Sequence, residues 1–197
     1  MTSGKSSADV RIGISGWRYA PWRGRFYPRG LTQRMELAYA SRVLSSVEIN
    51  GSFYSLQTPA SYRRWHDETP DGFLFAVKGP RYITHMRRLK DVRIPLANFL
   101  ASGLFALGAK LGPILWQLPP SMAYEPQRLD AFLSLLPRDT AAAVELAREH
   151  DPRRLHDRNW LEAPPVRRLR HAVEVRHPSF VDAGFIAMLR RYKAALV

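Results

Sequence analysis

The chain has 197 residues, of which 46% are hydrophobic and 24% charged. That is one domain's length at ordinary globular composition, and it excludes global disorder and fibrous repeats. There is no cysteine, which removes disulfide scaffolds, thiolate metal sites and cysteine nucleophiles, and 30 basic against 17 acidic side chains give a formal charge of +13.

Residues 1–9 are polar and read as a disordered tail ahead of a single domain over 10–197. No signal peptide is visible there, and no apolar run reaches the roughly 18–20 residues of a membrane helix, so a cytoplasmic protein without a membrane partner is expected. Val10–Ile14 forms a first strand, ending in Ser15-Gly16. Thr32 is placed to cap a helix over about Gln33–Leu44, and Val47–Asn50 is a second strand. Thr58-Pro59 combines a capping hydroxyl with proline at the first helical position, and Tyr62 and Trp65 share one face of the helix that follows. After the Pro70-Asp71-Gly72 turn comes a third strand, Phe73–Val77. Leu96, Phe99, Leu100, Leu104 and Leu107 recur at three- and four-residue spacing and predict one amphipathic helix.

Pro113–Leu118 is a fourth strand, and Leu129, Phe132, Leu133 and Leu136 mark a helix stopped by Pro137. An Ala-rich helical stretch, Thr140–Glu149, and the Arg/Pro-rich Arg153–Arg170 with Pro164-Pro165 make an inserted, partly mobile excursion at about 138–171. Ala172–Val175 is a fifth strand, Asp182 caps a last helix to about Tyr192, and Ala195–Val197 begins a sixth strand.

Strands alternating with helices imply βαβ units and a parallel sheet. Buried parallel strands read as continuous apolar runs. These strands do not. Glu48 and Asn50 flank Ile49, Lys78 follows Val77, Gln117 follows Trp116, and Glu174 and Arg176 flank Val175. Residues two apart share a face, so the polar side chains gather on one side, late in each strand, where parallel α/β folds bind ligands. Basic charge is concentrated too. Arg11 to Arg34 holds six Arg and no acid, and Lys78 to Arg93 holds six basic residues and one acid. That distribution suits an anionic small molecule or nucleic acid, although 25 Arg against five Lys also fit the composition of a GC-rich genome.

Five ordered stretches resemble the YecE-like family, domain of unknown function 72. They are Ile12-Gly13-Ile14-Ser15-Gly16-Trp17; Val47-Glu48-Ile49-Asn50-Gly51-Ser52-Phe53-Tyr54; Phe75-Ala76-Val77-Lys78-Gly79-Pro80-Arg81 with Ile83-Thr84-His85 and Arg88-Leu89-Lys90-Asp91; Gly112-Pro113-Ile114-Leu115-Trp116-Gln117-Leu118-Pro119-Pro120; and Glu174-Val175-Arg176-His177-Pro178-Ser179-Phe180. The resemblance implies a TIM-type (β/α) barrel and no particular reaction. Gly51 stands where the family usually has Ser or a similar small polar residue. Family members run on through further strands, so this chain resembles the first two-thirds of a member. The expected fold is therefore an incomplete α/β barrel of five to six parallel strands, whose open edges would favour self-association.

Glu48 and Glu174 are the sharpest catalytic candidates, as carboxylates for acid/base work or metal ligation. The competing reading pairs them internally, Glu48 with Lys78 and Glu174 with Arg176. Lys78 and Arg81 suit phosphate or carboxylate, and His177 and His85 suit a base or metal ligand. Ser15, Trp17, Asn50, Tyr54, Gln117 and Arg176 complete the binding candidates. His66, His150, His156 and His171 read as surface or helix residues. Trp17, Tyr19, Trp22, Phe26 and Tyr27 interleave with Arg18, Arg23, Arg25 and Arg29, as stacking on bases or sugars requires, although most of the aromatics read as core.

No nucleotide-cofactor signature is present, and a divalent metal is not favoured. Three functional readings stay open: an enzyme with hydrolytic or acid/base chemistry on a phosphate-bearing substrate; a non-catalytic nucleic-acid-binding protein; and a truncated, inactive fragment.

Overall fold

The computed structural model describes residues 10–156, 158–162 and 165–197. The expected N-terminal tail lies outside these residues, as do Asp157, Ala163 and Pro164 of the expected excursion.

Six parallel strands form one sheet: β1 (Gly13–Ser15), β2 (Ser46–Ile49), β3 (Leu74–Lys78), β4 (Leu111–Gln117), β5 (His171–Glu174) and β6 (Ala195–Leu196). Their spatial order is their chain order. A doubly wound sheet reverses direction at a switch point, and this one never does. With its crossover helices it is the arrangement of an incomplete TIM-type barrel. The helices are α1 (Glu36–Val43), α2 (Gly51–Tyr54), α3 (Pro59–Glu68), α4 (Arg93–Ala101), α5 (Pro126–Leu135), α6 (Thr140–Ala147), α7 (Pro152–Leu155) and α8 (Ala183–Tyr192). No helix among the described residues is long and apolar enough to cross a membrane.

The two sheet faces differ. Val47, Ile49, Phe75, Val77, Ile114, Trp116 and Val173 point to one face and are buried in the main core with Leu37, Tyr62, Leu96, Phe99 and Phe132. The opposite face carries Ser46, Glu48, Leu74, Ala76 and Lys78, all only half-buried. The alternation of β2 and β3 thus reflects one helix-covered face and one that would line a barrel interior.

Local signals succeed where a side chain finds its donor. Thr58 Oγ1 accepts from the Ser61 N–H at 3.2 Å, and Asp182 Oδ1 accepts from that of Phe185 at 2.8 Å. Thr32 makes no such bond, because the chain first takes a 3-10 turn (Gln33–Met35) before α1. The first strand begins at Gly13 rather than Val10, and Val10 and Ile12 are 81% and 70% exposed, because β1 is a sheet edge, paired among the described residues only with β2.

The single helix expected through Leu107 is two. It breaks at Gly103, whose φ of 106° is left-handed, and a 3-10 segment, Leu104–Lys110, follows. A Cβ at Gly103 would sit 2.4 Å from Pro59 Cα, so close approach to the start of α3 dictates the break. The excursion is held to the body: α6 packs on α4, Asn98 Oδ1 accepts from the Asp151 N–H at 2.8 Å, and the Leu169 N–H donates to the Arg138 carbonyl at 2.8 Å.

His171 is not the surface residue expected but a strand residue on the helix-covered side of β5. The Trp116 indole N–H donates to its Nδ1 at 3.2 Å, and Nε2 donates to the Pro137 carbonyl at 2.8 Å. This arrangement fixes the neutral tautomer. Burial lowers the His171 pKa from 6.5, and the Pro137 bond only partly opposes that. An unfolded chain therefore binds the proton more readily. Stability is present above about pH 6.5 and falls as the pH drops toward the lower folded value. Chemical denaturation from pH 7.5 to 5 should show this fall, with a shallower slope in His171→Gln.

Gly79 closes β3 against Trp116, where a Cβ would lie 2.4 Å from the fully buried indole. Gly79→Ala should cost about 1–3 kcal/mol in urea unfolding, because neither backbone nor ring has room to move.

Candidate functional site

Strand register builds the site. Ser15 pairs with Glu48, Glu48 with Ala76, Lys78 with Leu115, and Gln117 with Glu174. Following one face across the sheet, the line steps two residues forward between β2 and β3 and again between β3 and β4. The β3–β4 pairing itself shifts by one residue between Phe75 and Val77, where β4 carries an extra residue. Ser15, Glu48, Lys78, Gln117 and Glu174 therefore stand in one row along the C-terminal rim of five adjacent strands.

The row is bonded. The Ser15 hydroxyl donates to Glu48 Oε1 at 2.8 Å, and Asn50 Nδ2 donates to Ser15 Oγ at 2.7 Å. Lys78 Nζ lies 4.0 Å from Glu48 Oε1 and 5.0 Å from the centre of the Phe53 ring. Beyond it, Gln117 Nε2 donates to Glu174 Oε2 at 2.7 Å, and Arg176 Nε donates to Glu174 Oε1 at 2.8 Å. The internal pairs anticipated from sequence thus both exist, one tight and one loose. Burial alone would raise the Glu174 pKa. Hydrogen bonds from Gln117 and Arg176, with the charges of Arg176 and Lys78, outweigh it and hold the carboxyl below its ordinary range.

His85 joins this group from the third βα loop. It sits on a π-helical turn, Tyr82–Met86, with its ring edge-on to Phe53 at 5.1 Å and its Nδ1 2.9 Å from Thr84 Oγ1. Burial lowers its pKa, and the charges of Arg81, Lys78 and Arg176 lower it further against an opposing pull from Glu174. His85 is therefore neutral near pH 7 and able to accept a proton.

Single π-turns and left-handed non-glycine residues gather at functional sites, the latter costing on the order of 1–3 kcal/mol each. Directly after this turn, Arg88, Leu89 and Asp91 take φ values of 50°, 67° and 50°. Leu89 is buried, and Arg88 Nη2 donates to the Ser121 carbonyl at 3.0 Å, so core packing and the β4–α5 loop hold the strained segment.

Other candidates fall elsewhere. His177 Nδ1 accepts from the Ser179 N–H at 3.2 Å and so caps the Pro178–Phe180 turn. Tyr54 is exposed and lines a pocket of about 500 Å³ with Tyr82, Met86 and two neighbours of His85, Phe53 and Arg81. Trp17 is buried edge-on to Trp65, and its carbonyl accepts from the Tyr27 hydroxyl at 2.6 Å. Ser52 is fully buried and donates to the Lys78 and Ile49 carbonyls, a purely structural role. Among the described residues, no three His, Asp or Glu side chains converge as a metal site requires.

The sequence profile described as "Protein of unknown function DUF72" matches residues 11–197. Among curated proteins, the chain is 30% identical over 140 residues to the UPF0759 protein YecE of Escherichia coli K12. That match covers 70% of this chain and 48% of YecE. The UPF0759 protein YunF of Bacillus subtilis 168 is 28% identical over 122 residues, covering 56% of this chain and 40% of its own. Two solved DUF72 structures share the fold. One from Thermotoga maritima gives a TM-score of 0.68 at 24% identity, covering 94% of this chain and 63% of the other. One from Enterococcus faecalis V583 gives 0.63 at 16% identity, with coverage of 94% and 59%. The chain spans about half the length of the curated relatives it matches.

Gln117→Leu removes one of the two side-chain hydrogen bonds that keep Glu174 ionised. A carboxyl NMR titration should then show the Glu174 pKa moving upward toward the ordinary range, whereas an unchanged value would mean that Arg176 and Lys78 set it without Gln117.

Proposed function

The chain belongs to the DUF72 family, and from that premise we propose that its C-terminal strand rim is an active site for an anionic, phosphate-bearing substrate, working by acid/base or hydrolytic chemistry. The observation that carries this reading is the convergence of three cations, Lys78, Arg81 and Arg176, with two carboxylates and His85 at one end of the sheet. Arg81 makes no hydrogen bond or ion pair among the described residues and is exposed. With His85 neutral, the cluster keeps one positive charge in excess, which favours an anion.

The roles follow from the partners. Lys78 acts as a point charge and Arg81 as a planar fork for phosphate oxygens. His85, uncharged and at the cluster's edge, is the base that takes a proton from water or a substrate hydroxyl. Glu174, kept ionised, fixes Arg176 beside the developing negative charge that the cations stabilise. Glu48 orients Ser15 and, through it, Asn50. Every group named lies on β1 to β5 or just beyond them, within the part of the family fold that this chain spans.

A panel of phosphomonoesters, phosphodiesters and sugar phosphates tests the proposal. Turnover of one class is expected, and Lys78→Met and Glu174→Gln should each reduce it at least about 100-fold with little change in melting temperature. If either variant unfolds instead, the pairs serve only the fold. If no ester turns over and the chain binds single-stranded DNA with a steep log–log dependence on salt, the protein is a phosphate-tracking binder without chemistry.

A further inference from the structure

We propose that the cleft between the first βα loop and α3 is a second ligand subsite, taking the distal end of a small molecule that carries both a flat ring and an anionic group. The proposal deepens the active-site reading and rests on it for one point: Ser15 and Asn50, which open the cleft, also belong to the rim network.

The cleft is about 630 Å³ and passes Tyr19, Trp22, Gln57 and Ser61. Trp17, Arg18, Arg64 and Trp65 line it and also line an adjoining polar cavity of about 510 Å³ that reaches Arg34 and Glu68. The two spaces thus share four lining side chains, and Arg18 and Arg64 border both.

The chemistry of the walls selects the ligand. Three guanidinium groups face the outer cavity against one carboxylate. Arg18 and Arg34 make no hydrogen bond or ion pair among the described residues, and Arg64 reaches Glu68 only at 3.9 Å. Unpaired planar forks beside a cavity suit phosphate or carboxylate. Tyr19 is 54% exposed, and its ring meets Trp22 edge-on at 5.3 Å, so an aromatic surface stands open beside Arg18. A flat ring stacks on such a surface while its anionic substituent reaches the arginines.

The platform is preorganised. Trp22, Phe26, Tyr27 and Tyr39 pack edge to face, and Arg23 Nε donates to the buried Glu36 at 2.7 Å. The aromatics of this loop thus divide by role. Tyr27 is fully buried with Phe26 half-buried against it, Arg23 is committed to Glu36, and Tyr19, Trp22 and Arg18 face the cleft.

Calorimetric titration with AMP, phenyl phosphate and inorganic phosphate tests this. Both ring phosphates should bind at least tenfold tighter than inorganic phosphate. Tyr19→Ala should erase that advantage and leave inorganic phosphate unchanged. Arg18→Gln should weaken both ring ligands about tenfold. AMP well ahead of phenyl phosphate identifies a nucleotide, and equal affinities identify a simpler ring anion. Equal binding of all three probes, or no effect of either variant, overturns the subsite. If Lys78→Met alone abolishes binding, the subsite fails while the rim reading stands. If turnover fails but these binding differences appear, the reverse holds.

Discussion

A carboxylate on the inner face of a sheet is stable as an ion only if neighbouring groups replace the water it loses. This requirement organises the molecule. Glu48 and Glu174 stand three strands apart, each with its own hydrogen-bond donors and with Lys78 acting electrostatically on both. Ser15 and, more loosely, Lys78 serve the first, and Gln117 and Arg176 serve the second. The row runs diagonally: Lys78 stands two residues beyond Ala76, the register partner of Glu48, and Gln117 stands two beyond Leu115, the partner of Lys78, directly opposite Glu174.

The remaining fold serves that row. The helix-covered face supplies rigidity through a continuous aromatic and aliphatic core, and Trp116 links three parts of it. Its ring fills the space above Gly79, packs edge-on to Phe132 and donates its N–H to His171. The rim side is softer in composition and richer in special backbone. A π-turn that carries His85, and then three left-handed residues, follow β3. Strain of this kind persists only when packing overrules it, and buried Leu89 supplies the packing.

Much of this was legible in the sequence. Period-two alternation in Val47-Glu48-Ile49-Asn50 and Glu174-Val175-Arg176 announced a polar face late in the strands, and capping residues such as Thr58 and Asp182 marked helix starts correctly. Three things were not legible. The split at Gly103 depends on a tertiary approach to Pro59, which periodicity cannot express. The bond between Trp116 and His171 spans 55 residues, so His171 looked like any polar residue before a strand. The choice between the two candidate histidines turned on backbone geometry. His177 lies next to Arg176 in sequence but turns to cap its own loop, whereas His85, far away in sequence, reaches the cluster. Nothing in composition or spacing distinguishes them. The first loop was half readable: aromatics interleaved with arginine pointed to either core or ligand, and the fold buries Tyr27 while leaving Tyr19 exposed.

The central claim is that the strand rim holds an anion between Lys78, Arg81 and Arg176. Crystals soaked in tungstate, a phosphate-like anion that scatters anomalously, test it directly. The account predicts an anomalous peak bounded by those three side chains, with Glu48 and Glu174 still facing the same rim. Peaks confined to arginines elsewhere on the surface, or carboxylates turned into the helix packing, would contradict it.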